Sequence, residues 1–146
     1  MHELELRFIP TLKNTQWATI AVRQIAAALL ETIEAGSIED HDAFLSEIEL
    51  ATGEACCNAV KHGPEKGKRE IQVSVMFKQK ESNFIIAVSD GNQTYDFSER
   101  EPDFDSLPES GYGLYIMRKM MNKVSYRREK GRNIVTMEKE ISQGGE

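Results

Sequence analysis

The chain has 146 residues, enough for one domain with a single core, and its formal net charge of −6 argues against a nucleic-acid binder, whose affinity comes mostly from neutralising phosphates. It leaves nucleotides open, because they need only a local cradle. Its apolar fraction of 40% and charged fraction of 29% are those of an ordinary folded domain, and no apolar run approaches the roughly 20 residues of a membrane span.

Glu3–Phe8 alternates charge and hydrophobe, with Leu4, Leu6 and Phe8 on one side, which predicts a half-buried strand and a candidate sheet edge, ended by Pro10. The opening MHELELRF carries glutamates where a signal peptide needs basic residues and an apolar block. The adjacent Cys56 and Cys57 neither staple distant segments nor complete a zinc site, so a reducing cytoplasm is the expected home. From Trp17 to Ile33, residues Trp17, Ile20, Ala21, Ile25, Ala28, Leu29 and Ile33 recur at helical spacing, predicting a helix with that face inward and a stop at Gly36. Asp40 or Asp42 caps a second helix in which Phe44, Ile48, Ala51 and Ala55 face a core, and Gly63-Pro64 stops it after His62. Gly53 within it costs about 1 kcal/mol against alanine and either admits a close neighbour or is merely tolerated.

Ile71, Val73, Val75 and Phe77 alternate with polar residues as a strand, a turn covers Lys80–Asn83, and Asn83–Asp90 is apolar enough for a central strand. Ser98–Ser110, with two prolines and many acids, predicts a long loop and a candidate lid. Tyr112–Asn122 predicts a short helix with Leu114, Met117 and Met121 inward. Strands at Val124–Arg128 and Ile134–Ile141, joined by a turn at Lys130–Asn133, precede a frayed SQGGE tail. This order predicts one α+β domain over residues 1–146, a two-layer sandwich whose mixed, mostly antiparallel sheet carries the helices on one face. It excludes the alternating parallel units of a Rossmann fold.

Three stretches carry chemistry. Glu54 and Asn58 lie four apart on one helix face, which His62 extends by a turn. A carboxylate accepts a proton from a hydroxyl, and a carboxamide oxygen is a hard ligand suited to Mg²⁺. Asp90 closes an apolar strand, where its carboxylate can accept the exocyclic amino proton of adenine, and Gly91 and Asn92 follow as turn residues. Gly111-Tyr112-Gly113-Leu114 opens a helix, and glycines there let backbone N–H groups approach a polyphosphate. Taken singly, each has a plainer account as a solvated helix face, a turn former and an ordinary glycine turn. The chain holds no P-loop and no HRD or DFG of the common protein kinases, and His2, His41 and His62 match no zinc spacing.

Taken together, order and spacing resemble a known family. E-x-x-x-N-A-x-x-H-G at Glu54–Gly63 resembles the N-box of the GHKL superfamily (gyrase, histidine kinases, MutL), and Asp90–Asp96 is similar to its G1 box. GYGLYIMRKMMNKVSY resembles the G2 box and following helix of the anti-sigma-factor serine kinases, RsbW/SpoIIAB-like. The resemblance implies the Bergerat ATP-binding sandwich. It implies Glu54 as general base on an acceptor serine, Asn58 as the Mg²⁺ ligand and His62 near the nucleotide. It further implies Asp90 on the adenine amino group, with Asn92 beside it, and Gly111, Tyr112, Gly113 and Leu114 around the phosphates. Two positions depart from the family pattern: Asn92 stands where the G1 box has glycine, and Gly131-Arg132-Asn133 replaces a Gly-Thr pair.

The implied function is a cytoplasmic ATP- and Mg²⁺-dependent serine kinase. It would bind a sigma factor, phosphorylate a STAS-domain anti-anti-sigma partner and form a homodimer, without contacting nucleic acid or membrane. Two alternatives stay open: a non-catalytic nucleotide-binding interaction module, and a switch kinase acting on a STAS scaffold without binding sigma.

Overall fold

A computed structural model describes residues 2–32, 41–61, 71–78, 83–91 and 112–141. Alternating and helical stretches follow the expected order: β1 (His2–Phe8), α1 (Leu12–Glu31), α2 (His41–Lys61), β2 (Ile71–Lys78), β3 (Asn83–Asp90), α3 (Gly113–Met120), β4 (Lys123–Glu129) and β5 (Arg132–Glu140). The strands form one five-stranded sheet in the order β1-β2-β3-β5-β4. All four pairings among the described residues are antiparallel, in line with the mostly antiparallel sheet expected. The β4–β5 register pairs Glu129 with Arg132, leaving a two-residue loop. Lys130 at φ 51° and Gly131 at φ 74° give that loop the left-handed backbone of a type I′ turn, whose twist suits a hairpin.

β3 is the middle strand, as its apolar composition predicts, and buries Phe84, Ile86 and Val88 toward the helices. Val73, Val135 and Met137 share that side of the sheet. α2 packs against β3, α1 and α3, so it runs through the centre of the helical layer. Its expected core face is observed: Phe44, Ile48, Ala51 and Ala55 are buried, and the Phe44 and Phe84 rings meet at 6.1 Å. Leu114, Met117 and Met121 anchor α3 in the same core.

α1 departs from expectation in both bounds and face. It starts at Leu12 rather than Trp17, because Thr11 is an extended N-cap whose Oγ1 accepts the Asn14 backbone N–H at 3.1 Å. Its buried stripe is Thr15, Ala18, Thr19, Val22, Ala26 and Leu30, whereas Trp17 and Ile20 are 59% and 52% exposed and Ala28 also faces outward. The physical reason is the approach to α2. A Cβ on Gly53 would sit 3.8 Å from the Thr19 methyl, so small residues line the seam there, and Trp17 and Ile20 are turned away. On its margin Arg23 donates to Ser46 and Glu49 at 3.0 and 2.9 Å. The expectations for Ile33, Gly36, Asp40, Gly63-Pro64, the turn before Asn83, the Ser98–Ser110 loop and the SQGGE tail lie outside the described residues.

Candidate functional site

Glu54 and Asn58 sit one turn apart on α2, half-buried, on the side that meets α3. Ala51, Ala55 and Ala59, all buried, keep the adjoining face of α2 thin enough for that packing. The contact with α3 is made at Gly113, the first residue of the helix. A Cβ there would lie 3.1 Å from Asn58 Nδ2, 3.2 Å from Glu54 Oε2 and 3.3 Å from Asn58 Oδ1. A side chain at Gly113 would therefore occupy the space into which the carboxylate and carboxamide project. Tyr112 stands at the N-cap and supplies no side-chain hydrogen bond to the first turn, so the N–H groups there receive no cap from it. First-turn amide donors and a positive helix end beside a carboxylate and a carboxamide form a cradle suited to an anion with its cation. Among the described residues no cluster of three or more His, Cys, Asp or Glu forms a metal cage.

A second group forms where β3 ends. Asp90 is 3% exposed and lies opposite Asn133 in the β3–β5 register. The fully buried Asn133 donates through Nδ2 to Asp90 Oδ1 at 3.0 Å. Its Oδ1 accepts from the Tyr126 hydroxyl at 2.7 Å and from Arg128 Nη1 at 2.8 Å. Arginine can only donate, so Arg128 fixes which way the carboxamide points and thereby presents an N–H to Asp90. Asp90 is thus held as an acceptor in a buried, oriented position.

Of the expected site residues, Glu54, Asn58 and Gly113 come together, with Tyr112 and Leu114 flanking the last, and Leu114 is buried in the core. Asp90 stands in the separate β3–β5 group, while His62, Asn92 and Gly111 lie outside the described residues. Tyr126 and Arg128 went unnoticed in the sequence. Their period-two spacing with Val124 was the available signal, since it sets all three on one side of β4. The neighbouring cysteines are poor nucleophiles. Burial, then the adjacent Cys57, pushes the Cys56 thiol up to about 12, and burial with the Glu54 charge raises Cys57 against the opposing pull of Lys61.

A family model described as "Histidine kinase-like ATPase domain" matches residues 12–139. The serine-protein kinase RsbW of Bacillus subtilis is 30% identical over 96 residues, covering 60% of this chain and 59% of that protein. Its counterpart in Bacillus pumilus is 33% identical over 98 residues, 60% of each chain. The aligned region thus spans about 60% of the length of these curated relatives. In fold, the chain is similar to the RsbU and RsbW domains of a Mycobacterium tuberculosis protein, with TM-score 0.65 and 18% identity over 96% of this chain and 32% of that one. It is also similar to the histidine kinase domain of the blue-light activated kinase from Erythrobacter litoralis, with TM-score 0.53 and 18% identity over 86% of this chain and 61% of that one.

Proposed function

Because this chain belongs to the histidine kinase-like ATPase domain family, we propose that it binds Mg·ATP and acts as a serine-protein kinase of the RsbW type. The observation that carries the reading is the approach of Gly113 to Glu54 and Asn58, which joins a proton acceptor, a hard oxygen ligand and a helix N-terminus at one point. When bound, Mg·ATP supplies the phosphoryl group and the cation that neutralises its charge.

The chain's residues then have distinct tasks. Asp90, oriented by Asn133, accepts the exocyclic amino proton of adenine, a contact that guanine's carbonyl in the same position would refuse. The first-turn amides of α3 bind phosphate oxygens, with Gly111, Tyr112 and Leu114 as the surrounding segment and His62 and Asn92 as further nucleotide neighbours. Asn58 would hold Mg²⁺ through its carboxamide oxygen, and the ion would supply positive charge against the phosphates. Glu54 takes the proton from the acceptor serine hydroxyl.

The protein substrate in this reading is a STAS-domain anti-anti-sigma partner, the competing ligand is a sigma factor, and the working unit is a cytoplasmic homodimer. The similarity to serine-protein kinases named RsbW supports the serine acceptor. Incubation with γ-labelled ATP and candidate STAS proteins tests the whole. Label on a STAS serine is the expected result. ATP binding without transfer to any acceptor would favour a nucleotide-dependent binding module, and transfer without capture of a sigma factor would favour a switch kinase acting on a STAS scaffold.

A further inference from the structure

Lysine is seldom buried, yet Lys139 is 8% exposed, on the helix-facing side of β5. Its Nζ reaches two helices at once. It is paired with the half-buried Glu47 carboxylate of α2 and donates to the carbonyl of Met120, the last residue of α3, at 2.6 Å. It also lies over the Phe44 ring, 5.2 Å from its centroid. Each contact offsets part of the desolvation cost: an opposite charge, the negative end of a helix and the face of an aromatic ring. An apolar side chain of similar volume would fill this position at no worse a net energy. What a lysine adds is direction, because its hydrogen bonds fix one arrangement of the helices where apolar packing tolerates several.

The arrangement it fixes can be read from two contacts. At one end Lys139 ties Glu47 to Met120; at the other, Gly113 meets Glu54 and Asn58. Glu47 to Glu54 is seven residues along α2, and Met120 to Gly113 is seven along α3. Two helices running antiparallel with matched spans of about 10.5 Å are therefore tied through Lys139 at one end and closely approached at the other. Asn122 already joins the end of α3 to β5, accepting the Glu140 N–H and donating its own N–H to Glu138, each at 2.8 Å. Lys139 extends that tie to α2, the helix that carries Glu54 and Asn58.

We propose that Lys139, through Glu47, is a positioning residue that sets the register of α3 against α2 and so holds the helix N-terminus over Glu54 and Asn58 for polyphosphate binding. This rests on the ATP reading above. Without the tie, α3 slides on its apolar face and its first-turn amides leave their alignment. Asp90, on β3 and held by β4 and β5, keeps its own alignment. Loss of Lys139 is therefore expected to separate phosphate binding from base binding.

The experiment compares ATP and adenosine affinities by ligand-detected NMR for wild type, Lys139→Met, Lys139→Arg and Glu47→Gln, with hydrogen exchange of the α3 amides read alongside. Glu47 is half-buried, so its variant keeps the fold if Lys139→Met does not. In Lys139→Met, ATP affinity is expected to fall about tenfold, the worth of one well-placed helix-terminus interaction, while adenosine affinity stays unchanged. Exchange at Ile116 and Met121, whose N–H groups bond the Tyr112 and Met117 carbonyls at 2.9 Å, should rise, Glu47→Gln should fall between, and Lys139→Arg should recover most of the loss. Wild-type ATP affinity in both Lys139→Met and Glu47→Gln would overturn the proposal, as would equal losses of ATP and adenosine. A wild-type protein that binds neither ligand overturns the ATP reading itself, and with it this one.

Discussion

Asp90 is the residue whose chemistry is most constrained by its neighbours. Asn133 presents an N–H to one carboxylate oxygen, and Arg128 prevents the carboxamide from turning over. In Asp90→Asn the new carboxamide must turn its oxygen toward that N–H, which leaves its NH₂ where an acceptor stood. ATP affinity should fall more than about tenfold, the loss of a charge-assisted bond, with circular dichroism unchanged. Unaltered affinity in calorimetry would reduce Asp90 to a turn former. Glu54→Gln and Asn58→Ala should fail differently. The first keeps shape and Mg·ATP affinity but loses the base, lowering transfer by about 10²–10⁴-fold; the second loses the metal ligand, impairing both binding and transfer. Normal transfer by Glu54→Gln would remove the assigned mechanism. Cys56 carries a pH signature. Its thiol ionises near 9.0 when exposed but near 12 when folded. Between those values the unfolded chain binds fewer protons, so stability is complete below pH 9.0 and declines as pH rises toward 12. Urea unfolding at about pH 8 and about pH 10.5 should show a smaller decline in Cys56→Ala than in wild type. Position in the chain made Asp90, Glu54 and Asn58 legible as candidates. Tyr126 and Arg128 act only through a hairpin register that no short motif encodes.

Helices α2 and α3 owe their mutual approach to one glycine, and α1 and α2 approach beside another, yet the two glycines are not equivalent. At Gly113 a methyl group would press on Asn58 and Glu54 at 3.1–3.3 Å, closer than ordinary contact, whereas at Gly53 it would meet Thr19 at an unstrained 3.8 Å. Gly113→Ala should therefore displace the two site side chains and weaken ATP binding while the melting temperature barely moves. Gly53→Ala should stabilise the fold by about 0.5–1 kcal/mol, since it gains helix propensity without a clash. Paired thermal melts and ATP titrations check both, and a Gly113→Ala protein with intact affinity would contradict the tight approach as a functional feature. The same seam explains why every element and its order were legible in the sequence but the face of α1 was not. Apolar residues lie nearly all around that helix, and size suggested Trp17 and Ile20 for the core. Packing against α2 instead selected the side bearing the narrow Thr15, Ala18, Thr19, Val22 and Ala26, with Leu30 at its far end. Hydrophobicity gives the period of a helix, but which side is buried depends on the shape of its neighbour.

Among the described residues, most of the exposed large apolar side chains lie in one region, with Leu50 on α2 apart from it. β1 forms one edge of the sheet, and beside it Leu4, Ile9, Leu12, Trp17 and Ile20 are all between 48% and 67% exposed. A groove of about 430 Å³ runs between β1 and α1, lined by Leu6, Phe8, Ile9, Trp17, Ala18 and Ala21 among others. A strand at the sheet edge next to exposed large side chains is a surface suited to being covered. In the reading above a second copy of the chain covers it. Such a contact is held by apolar area rather than charge, so it should survive about 1 M salt, where the Debye length is only about 3 Å. Sedimentation at micromolar concentration should give a dimer at low and high salt alike. Trp17→Glu and Leu12→Glu, which set charges into the face without touching the buried stripe of α1, should each give a folded monomer. These monomers should bind ATP as wild type does, because Glu54, Asn58 and Asp90 lie on α2 and β3. A wild-type monomer at this concentration, or a dimer indifferent to both substitutions, would assign the apolar face to a different partner and remove the homodimer from the proposed mechanism.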